Sequence, residues 1–213
     1  MNRRTKVSWG ILSTARIGTQ KVIPAMQKGE YSQIVGIASR DLQKARTAAK
    51  ELGIPKVYGS YQELLADKDM EAVYNPLPNH LHVGWTLKAL EAGKHVLCEK
   101  PLGMNLQEVE GLLNKVKKYP KLKVMEAFMY RFHPQWQRIG TLIDKGTIVH
   151  HAGSEKKEIT FEGCNQYTLR GDAFSRATQD DAAVPTPIED GVANMRGIER
   201  IIESSRKAAW VKV

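Results

Sequence analysis

The sequence predicts an α/β fold, a doubly wound parallel sheet followed by a second region of different pattern. Two observations predict the sheet. Six short strand-forming runs alternate with helix-period segments across residues 6–127, the pattern of crossover units feeding a parallel sheet. One run also stops abruptly: His95-Val96-Leu97-Cys98 meets Glu99-Lys100-Pro101, where proline forbids further ladder pairing. A third observation separates the second domain, because the alternation is lost after residue 127.

Lys6 to Leu12 reads as a buried strand. A turn at Ser13-Thr14-Ala15-Arg16-Ile17-Gly18 leads into a helical pattern through Val22, Ala25 and Met26. Ile34 to Ala38 is the second strand. Asp41 suits a helix N-cap, with Leu42, Ala45, Ala49 and Leu52 on one side and Gly53 as the stop. Val57-Tyr58 is a third strand. Ala72-Val73-Tyr74 is a fourth, ended by Pro76 and Pro78. A helix follows from Asn79, with Val83, Leu87 and Leu90 on one stripe and Gly93 as its stop. His95 to Cys98 is the fifth strand. Asn105 and Glu108 form a capping pair for a helix that turns Val109, Leu112, Leu113 and Val116 inward. Lys123 to Ala127 is the sixth strand.

Beyond it, residues 135–145 read as helix, Lys157 to Phe161 as strand and Phe174-Ser175-Arg176-Ala177 as a short helix. Gln179 to Val184 reads as loop. Thr186-Pro187-Ile188-Glu189 has the form of a capping box with proline at the first helical position. It opens a long helix, 186–208, with Ile188, Val192, Met195, Ile198 and Ile202 on one face. A lone strand and one amphipathic helix do not make a domain. That apolar face is expected to pack on residues 1–148 or on a second subunit, so a homo-oligomer is expected. The domain reading is 1–127 for the first unit and 128–213 for the second.

The 213 residues carry a formal charge of +9, with 42% hydrophobic and 26% charged residues, ordinary proportions for a globular protein. The cations are spread along the chain without a basic run interleaved with aromatics, so nucleic acid is not an expected partner. No apolar run is long enough to span a bilayer. Val7 to Leu12 is too short for a signal peptide's apolar region, so no membrane partner and a cytoplasmic location are expected. Cys98 and Cys164 are too few for a disulfide framework and show no metal spacing. His80 and His82, two apart, point to different sides of a helix. No metal is expected.

Ligands of open α/β sheets bind beyond the carboxyl ends of the strands. Glu99-Lys100 then reads either as a surface ion pair before a turn or as a lysine held over a ligand. The turn Ser13 to Gly18 stands where a dinucleotide fingerprint G-x-G-x-x-G would place a pyrophosphate on a helix N-terminus. Only the last glycine is present. The second strand ends Ala38-Ser39-Arg40-Asp41. An acid there would favour the ribose 2′-OH of NAD, whereas an arginine suits a 2′-phosphate. Ser39 adds a hydroxyl, and Lys44 lies one helical turn beyond Arg40. The same residues also read as a solvated helix start.

Taken together, several stretches resemble one family. They are Val7-Ser8-Trp9-Gly10 through Gly18, Ala38 to Asp41, Pro76-Leu77-Pro78-Asn79-His80-Leu81-His82, Ala92 to Pro101, and Glu126-Ala127-Phe128-Met129-Tyr130-Arg131-Phe132-His133-Pro134. These resemble the glucose–fructose oxidoreductase/inositol dehydrogenase (Gfo/Idh/MocA) family, nearest its NADP-dependent xylose and trans-dihydrodiol dehydrogenase branch. The resemblance implies a Rossmann sheet followed by the remnant of a second α+β domain built on a mixed sheet, NADP as cofactor, and hydride transfer between nicotinamide and a small-molecule sugar- or dihydrodiol-like alcohol or carbonyl. It implies that Ser13, Thr14, Ala15, Arg16 and Ile17 hold the pyrophosphate, and that Ser39, Arg40 and Lys44 hold the 2′-phosphate. Pro78, Asn79 and His82 then lie by the nicotinamide ribose, Glu99 and Lys100 at the nicotinamide, and Arg131 closes the pocket. Lys100 is the expected catalytic residue. His82 alternatively reads as a satisfied helix histidine, and Arg131 as a domain-interface ion pair. The resemblance runs through residue 148 and resumes at Phe161 to Tyr167 and Pro185 to Gly191. Most of the family's second sheet, with its Asp-x-Gly-x-Tyr-like stretch, has no counterpart. The chain is therefore expected either to be truncated after 148 or to join parts of a longer one. The rival reading is a non-catalytic NADP(H)-binding sensor or decayed paralogue.

Overall fold

The computed structural model describes residues 6–134, 136–138 and 163–212. Six strands form one sheet: β1 (Val7–Leu12), β2 (Ser32–Ala38), β3 (Lys56–Tyr58), β4 (Ala72–Asn75), β5 (His95–Cys98) and β6 (Val124–Glu126). Their order is β3-β2-β1-β4-β5-β6, and every pairing is parallel. All six expected strands are present. The order reverses between β1 and β4, the switch point where such sheets leave a crevice.

Both faces of the sheet are covered, as a parallel sheet requires. On one side α1 (Ile23–Met26), α2 (Leu42–Leu52) and α6 (Gln166–Gln179) surround Trp9, Ile11, Ile37 and Phe174. On the other, α3 (Tyr61–Ala66), α4 (Asn79–Glu91), α5 (Leu106–Val116) and α7 (Ile188–Lys207) bury Leu64, Leu90, Leu112 and Met195. The caps read from the sequence form. The Asp41 carboxylate accepts from the Gln43 and Lys44 amides, Gly53 ends α2 at φ 65°, and Asn105 accepts from the Glu108 amide. Among the described residues no helix is long and apolar enough to cross a membrane.

Four readings are corrected. First, α3 was not anticipated: Ser60 caps a helix of only six residues, too short for periodicity to show. Second, the short helix at 174–177 is the end of the 14-residue α6, which Asn165 caps by accepting from Tyr167 and Thr168. Third, the Thr186 capping box does not form. The Thr186 hydroxyl donates instead to the Glu126 carbonyl, 3.2 Å, and α7 begins at Ile188 without a side-chain cap. Fourth, only part of the α7 apolar face is buried. Ile188, Val192 and Met195 join the core beside α5, while Ile198 and Ile202 remain 37% and 45% exposed. The strand expected at 157–161 and most of the helix expected at 135–145 lie outside the described residues, as does the 148/149 junction.

Candidate active site

At the carboxyl edge of the sheet two cavities adjoin. The smaller, about 310 Å³, lies between the β1–α1 turn and the end of β2, lined by Ser13, Thr14, Ala15, Ser39, Arg40 and Lys44 among others. The larger, about 590 Å³, lies over the ends of β4, β5 and β6, and Ile17, Asn79, His82, Glu99, Lys100 and Arg170 are in its wall. Pro76 and Leu77 line both, and Pro78 lines the smaller one. A groove of about 600 Å³ also runs between α5 and α7. It lies away from the strand ends, and its Glu203 is already paired with Arg200 and Lys207.

The smaller cavity carries two cations, Arg40 and Lys44, beside Asp41. Ser13 has φ 106°, a conformation that glycine adopts freely and other L residues rarely do. Its hydroxyl accepts from the Ala15 amide, 3.2 Å. The serine therefore occupies the place and the backbone conformation of the fingerprint's first glycine. A π-turn, Gly18–Val22, then runs into α1, just ahead of Pro24, which has no N–H for the carbonyl four residues back. Across the cavity, the Ser39 hydroxyl accepts from the Asp41 amide, 3.1 Å. Among the described residues nothing pairs with the Arg40 guanidinium. Lys44 stands 3.6 Å from Asp41 on the solvent side. Arg16 lies outside both cavities and donates to Gln20, 2.8 Å.

The larger cavity is organised around Glu99. Its Oε1 accepts from the Tyr74 hydroxyl, 2.7 Å, and from Arg170 Nη1, 3.4 Å. The next residue, Lys100, is exposed, and no described group pairs with its ammonium. Burial and the neighbouring carboxylate push the Tyr74 phenol well above its usual range, so it donates rather than ionises. His82 lies in the wall but is fully buried. Its Nδ1 is 2.7 Å from the Pro101 carbonyl and its Nε2 is 2.6 Å from the Leu77 carbonyl. The ring thus ties the two loops that carry Lys100 and Leu77, with both nitrogens committed. Arg131 is drawn outside the cavity, where it pairs with Asp190 of α7 and lies over the Phe128 ring, 5.3 Å from its centroid.

Behind this wall sits Glu126, 1% exposed. Its Oε1 accepts from the Leu102 amide, 2.9 Å, and Oε2 meets no donor among the described residues. Burial pushes the carboxyl up to about 7. A side chain at Gly191 would put its Cβ 3.1 Å from that oxygen and 2.9 Å from Leu102. α7 therefore approaches closely only because residue 191 has none.

Sequence reasoning missed Arg170. It is 1% exposed and belongs to α6, distant in the chain. A signal was present: Tyr167, Arg170, Phe174 and Ala177 are spaced three, four and three apart, placing a cation on the apolar stripe of a helix. Among the described residues no group of three or more His, Cys, Asp or Glu side chains is placed to hold a metal ion.

The reversed strand order, the paired cavities and the free cation at the end of β2 define a dinucleotide-binding α/β unit. A family profile described as an oxidoreductase family with an NAD-binding Rossmann fold matches residues 7–128. The chain belongs to this family, the Gfo/Idh/MocA oxidoreductases. It is 49% identical over 143 residues to a D-xylose 1-dehydrogenase (NADP(+)) of Haloferax volcanii, a match covering 66% of this chain and 43% of that protein. It is 41% identical over 145 residues to a trans-1,2-dihydrobenzene-1,2-diol dehydrogenase of Xenopus laevis, covering 66% and 42%. Among solved structures, a 3-ketoreductase from Actinomadura kijaniata in complex with TDP-benzene and NADP superposes with a TM-score of 0.61 at 35% identity, covering 68% of this chain and 45% of that one. The chain spans less than half the length of the curated relatives it matches.

Proposed function

We propose that this chain is the cofactor-binding part of an NADP-dependent oxidoreductase acting on a sugar- or dihydrodiol-like alcohol or its carbonyl. The observation that carries the reading is the Arg40 guanidinium, without a partner among the described residues, in a cavity that shares Pro76 and Leu77 with the one that Lys100 lines. The donor set fits the cofactor. Arg40, Ser39 and Lys44 match the 2′-phosphate by charge and hydrogen bonding. The amides at the turn from Ser13 suit the pyrophosphate. The nicotinamide, when bound, supplies or accepts the hydride. Lys100 donates a hydrogen bond to the reacting oxygen and stabilises negative charge on it. His82 and Glu126 position the Lys100 turn through the Pro101 carbonyl and the Leu102 amide. The xylose and dihydrodiol dehydrogenases among the relatives support the substrate class.

The test pairs binding with turnover. NADP+ and NAD+ are titrated against the protein by calorimetry, then pentoses and cyclic dihydrodiols are screened for reduction of NADP+. NADP+ binding at least tenfold tighter than NAD+, with turnover of a member of either class, is the expected result. Equal affinity for the two cofactors overturns the cofactor assignment. Tight NADP+ binding with no turnover of either class favours a non-catalytic NADP(H) sensor.

A further inference from the structure

Among the charged side chains of the larger cavity, Arg170 has no part in the reading above. It reaches the wall from α6, and its Nη1 donates to the Ala127 carbonyl, 2.9 Å, and to Glu99 Oε1, 3.4 Å. Its guanidinium carbon lies 5.9 Å from the Tyr74 ring centroid and 5.4 Å from that of Tyr167. Nε and Nη2 are buried with no acceptor among the described residues. Hydrogen bonding alone does not account for a cation held this way, with two donors unmet. α6 has other anchors. Ser175 accepts from the Trp9 indole, 3.0 Å, Thr168 donates to the Ala25 carbonyl, 2.8 Å, and Asp172 accepts from the Glu30 and Tyr31 amides. What Arg170 adds beyond these anchors is a positive charge against Glu99, the one carboxylate among the described residues of the cavity wall.

That charge bears on the two states of a nicotinamide. The oxidised ring is a cation and the reduced ring is neutral. A buried carboxylate alone in the wall favours the oxidised form, and an adjacent fixed cation offsets it. Lys100, the other cation there, is exposed and screened by water. We infer that Arg170 is a positioning and charge-balancing residue that holds Glu99 and sets the ratio of affinities for oxidised and reduced cofactor. The inference rests on the NADP reading.

The experiment measures dissociation constants for NADP+ and NADPH, by calorimetry and by NADPH fluorescence, in the unmodified protein and four variants. Arg170→Met keeps an apolar stem against the tyrosines. It is expected to shift the ratio about tenfold toward NADP+, the scale of one unit charge several ångströms away in a partly buried site. Glu99→Gln is expected to shift the ratio the opposite way. Arg170→Lys is expected to stay near the unmodified value. Asp172→Asn loosens α6 without altering the cavity's charge and is expected to leave the ratio unchanged. Both cofactors binding with ratios equal within twofold in Arg170→Met and Glu99→Gln overturns this inference and leaves the cofactor assignment standing. Should Arg170→Met not fold, the Glu99→Gln ratio alone decides. No binding of either cofactor by the unmodified protein overturns both.

Discussion

The two cavities differ in how they are made. The smaller one takes its charged and hydroxyl groups from Ser13 to Ala15 and Ser39 to Lys44, two short turns on neighbouring strands, with Tyr61 and Pro76 to Pro78 completing the wall. Its cations face water, and each residue acts from where the backbone puts it. The larger one draws its wall from Ile17, the segments after β4, β5 and β6, α4 and α6. Its groups act through one another: Tyr74 and Arg170 on Glu99, and His82 and Glu126 on the loop around Lys100. A binding site for a fixed anion needs only local placement. A site that handles changing charge needs groups held from several directions, which only tertiary structure supplies.

The largest effect should come from breaking the larger cavity at its free end. Lys100→Met is expected to lower turnover about 10²-fold or more, the scale of removing one electrostatic stabiliser. NADP+ affinity should stay within a few fold, because the residues proposed to hold the phosphates line the other cavity. Steady-state kinetics beside calorimetry checks this, and unchanged turnover would make Lys100 structural only.

Next is the smaller cavity. Arg40→Asp is expected to weaken NADP+ binding by about one to two decades, from roughly 1.5–3 kcal/mol for a charge-assisted contact, and to erase or reverse the preference over NAD+. A loss shared equally by both cofactors would place Arg40 away from the 2′-phosphate.

The third prediction concerns the buried support behind the larger cavity. The Glu126 carboxyl is raised from 4.5 to about 7, so between those values the unfolded chain sheds a proton that the folded chain keeps. Its contribution therefore makes stability fall as pH rises from about 4.5 to 7, by on the order of 2–3 kcal/mol in total. His95 opposes it. Burial, with Lys123 nearby, lowers His95 to about 4, and its stabilising contribution is lost as pH falls from 6.5 toward 4. The two slopes overlap, so the informative quantity is the difference between Glu126→Gln and the unmodified protein in urea unfolding at pH 5, 6 and 7. The variant should gain relative stability as pH rises. A difference flat across that range would refute the assignment.

The smallest effect is at Ser13. Glycine there relieves a positive φ that costs a non-glycine residue about 1–2 kcal/mol, but it also loses the hydroxyl's bond to the Ala15 amide. Ser13→Gly is expected to stabilise the fold by about 1 kcal/mol or less, read as a rise of a few degrees in Tm. A fall in Tm would show that the hydroxyl bond outweighs the strain.

The same contrast explains what was legible in the sequence. All six strands announced themselves: the inner ones, buried on both faces, read as apolar runs, and the half-buried edge strand β3 showed only in Val57-Tyr58. Asp41, Gly53 and Asn105 marked real helix ends, because caps act within one turn of chain. Ser39, Arg40 and Lys44 share one cavity lining for the same local reason, lying in the turn after β2 and the first turn of α2. α6 was largely missed. Its buried stripe includes Arg170 and Ser175, so its apolar period is broken by groups whose partners lie on β1, β2 and β5. Thr186 had the local form of a cap, and a carbonyl sixty residues earlier in the chain claimed its hydroxyl instead. Arg131 stood open to two readings, pocket residue or ion pair, and its partner Asp190 lies 59 residues further on in the chain.

The docking of α6 on β1 also orders events during synthesis. Trp9 is fully buried and stacks at 5.3 Å on Phe174, and its indole bonds to Ser175, 166 residues later in the chain. At about 5–20 residues per second, a ribosome needs on the order of ten seconds or more to make that cover. Until then the central strand of the sheet presents its largest aromatic side chain without the helix that seals it. Over that interval the growing chain offers an apolar face to aggregation and to capture by chaperones.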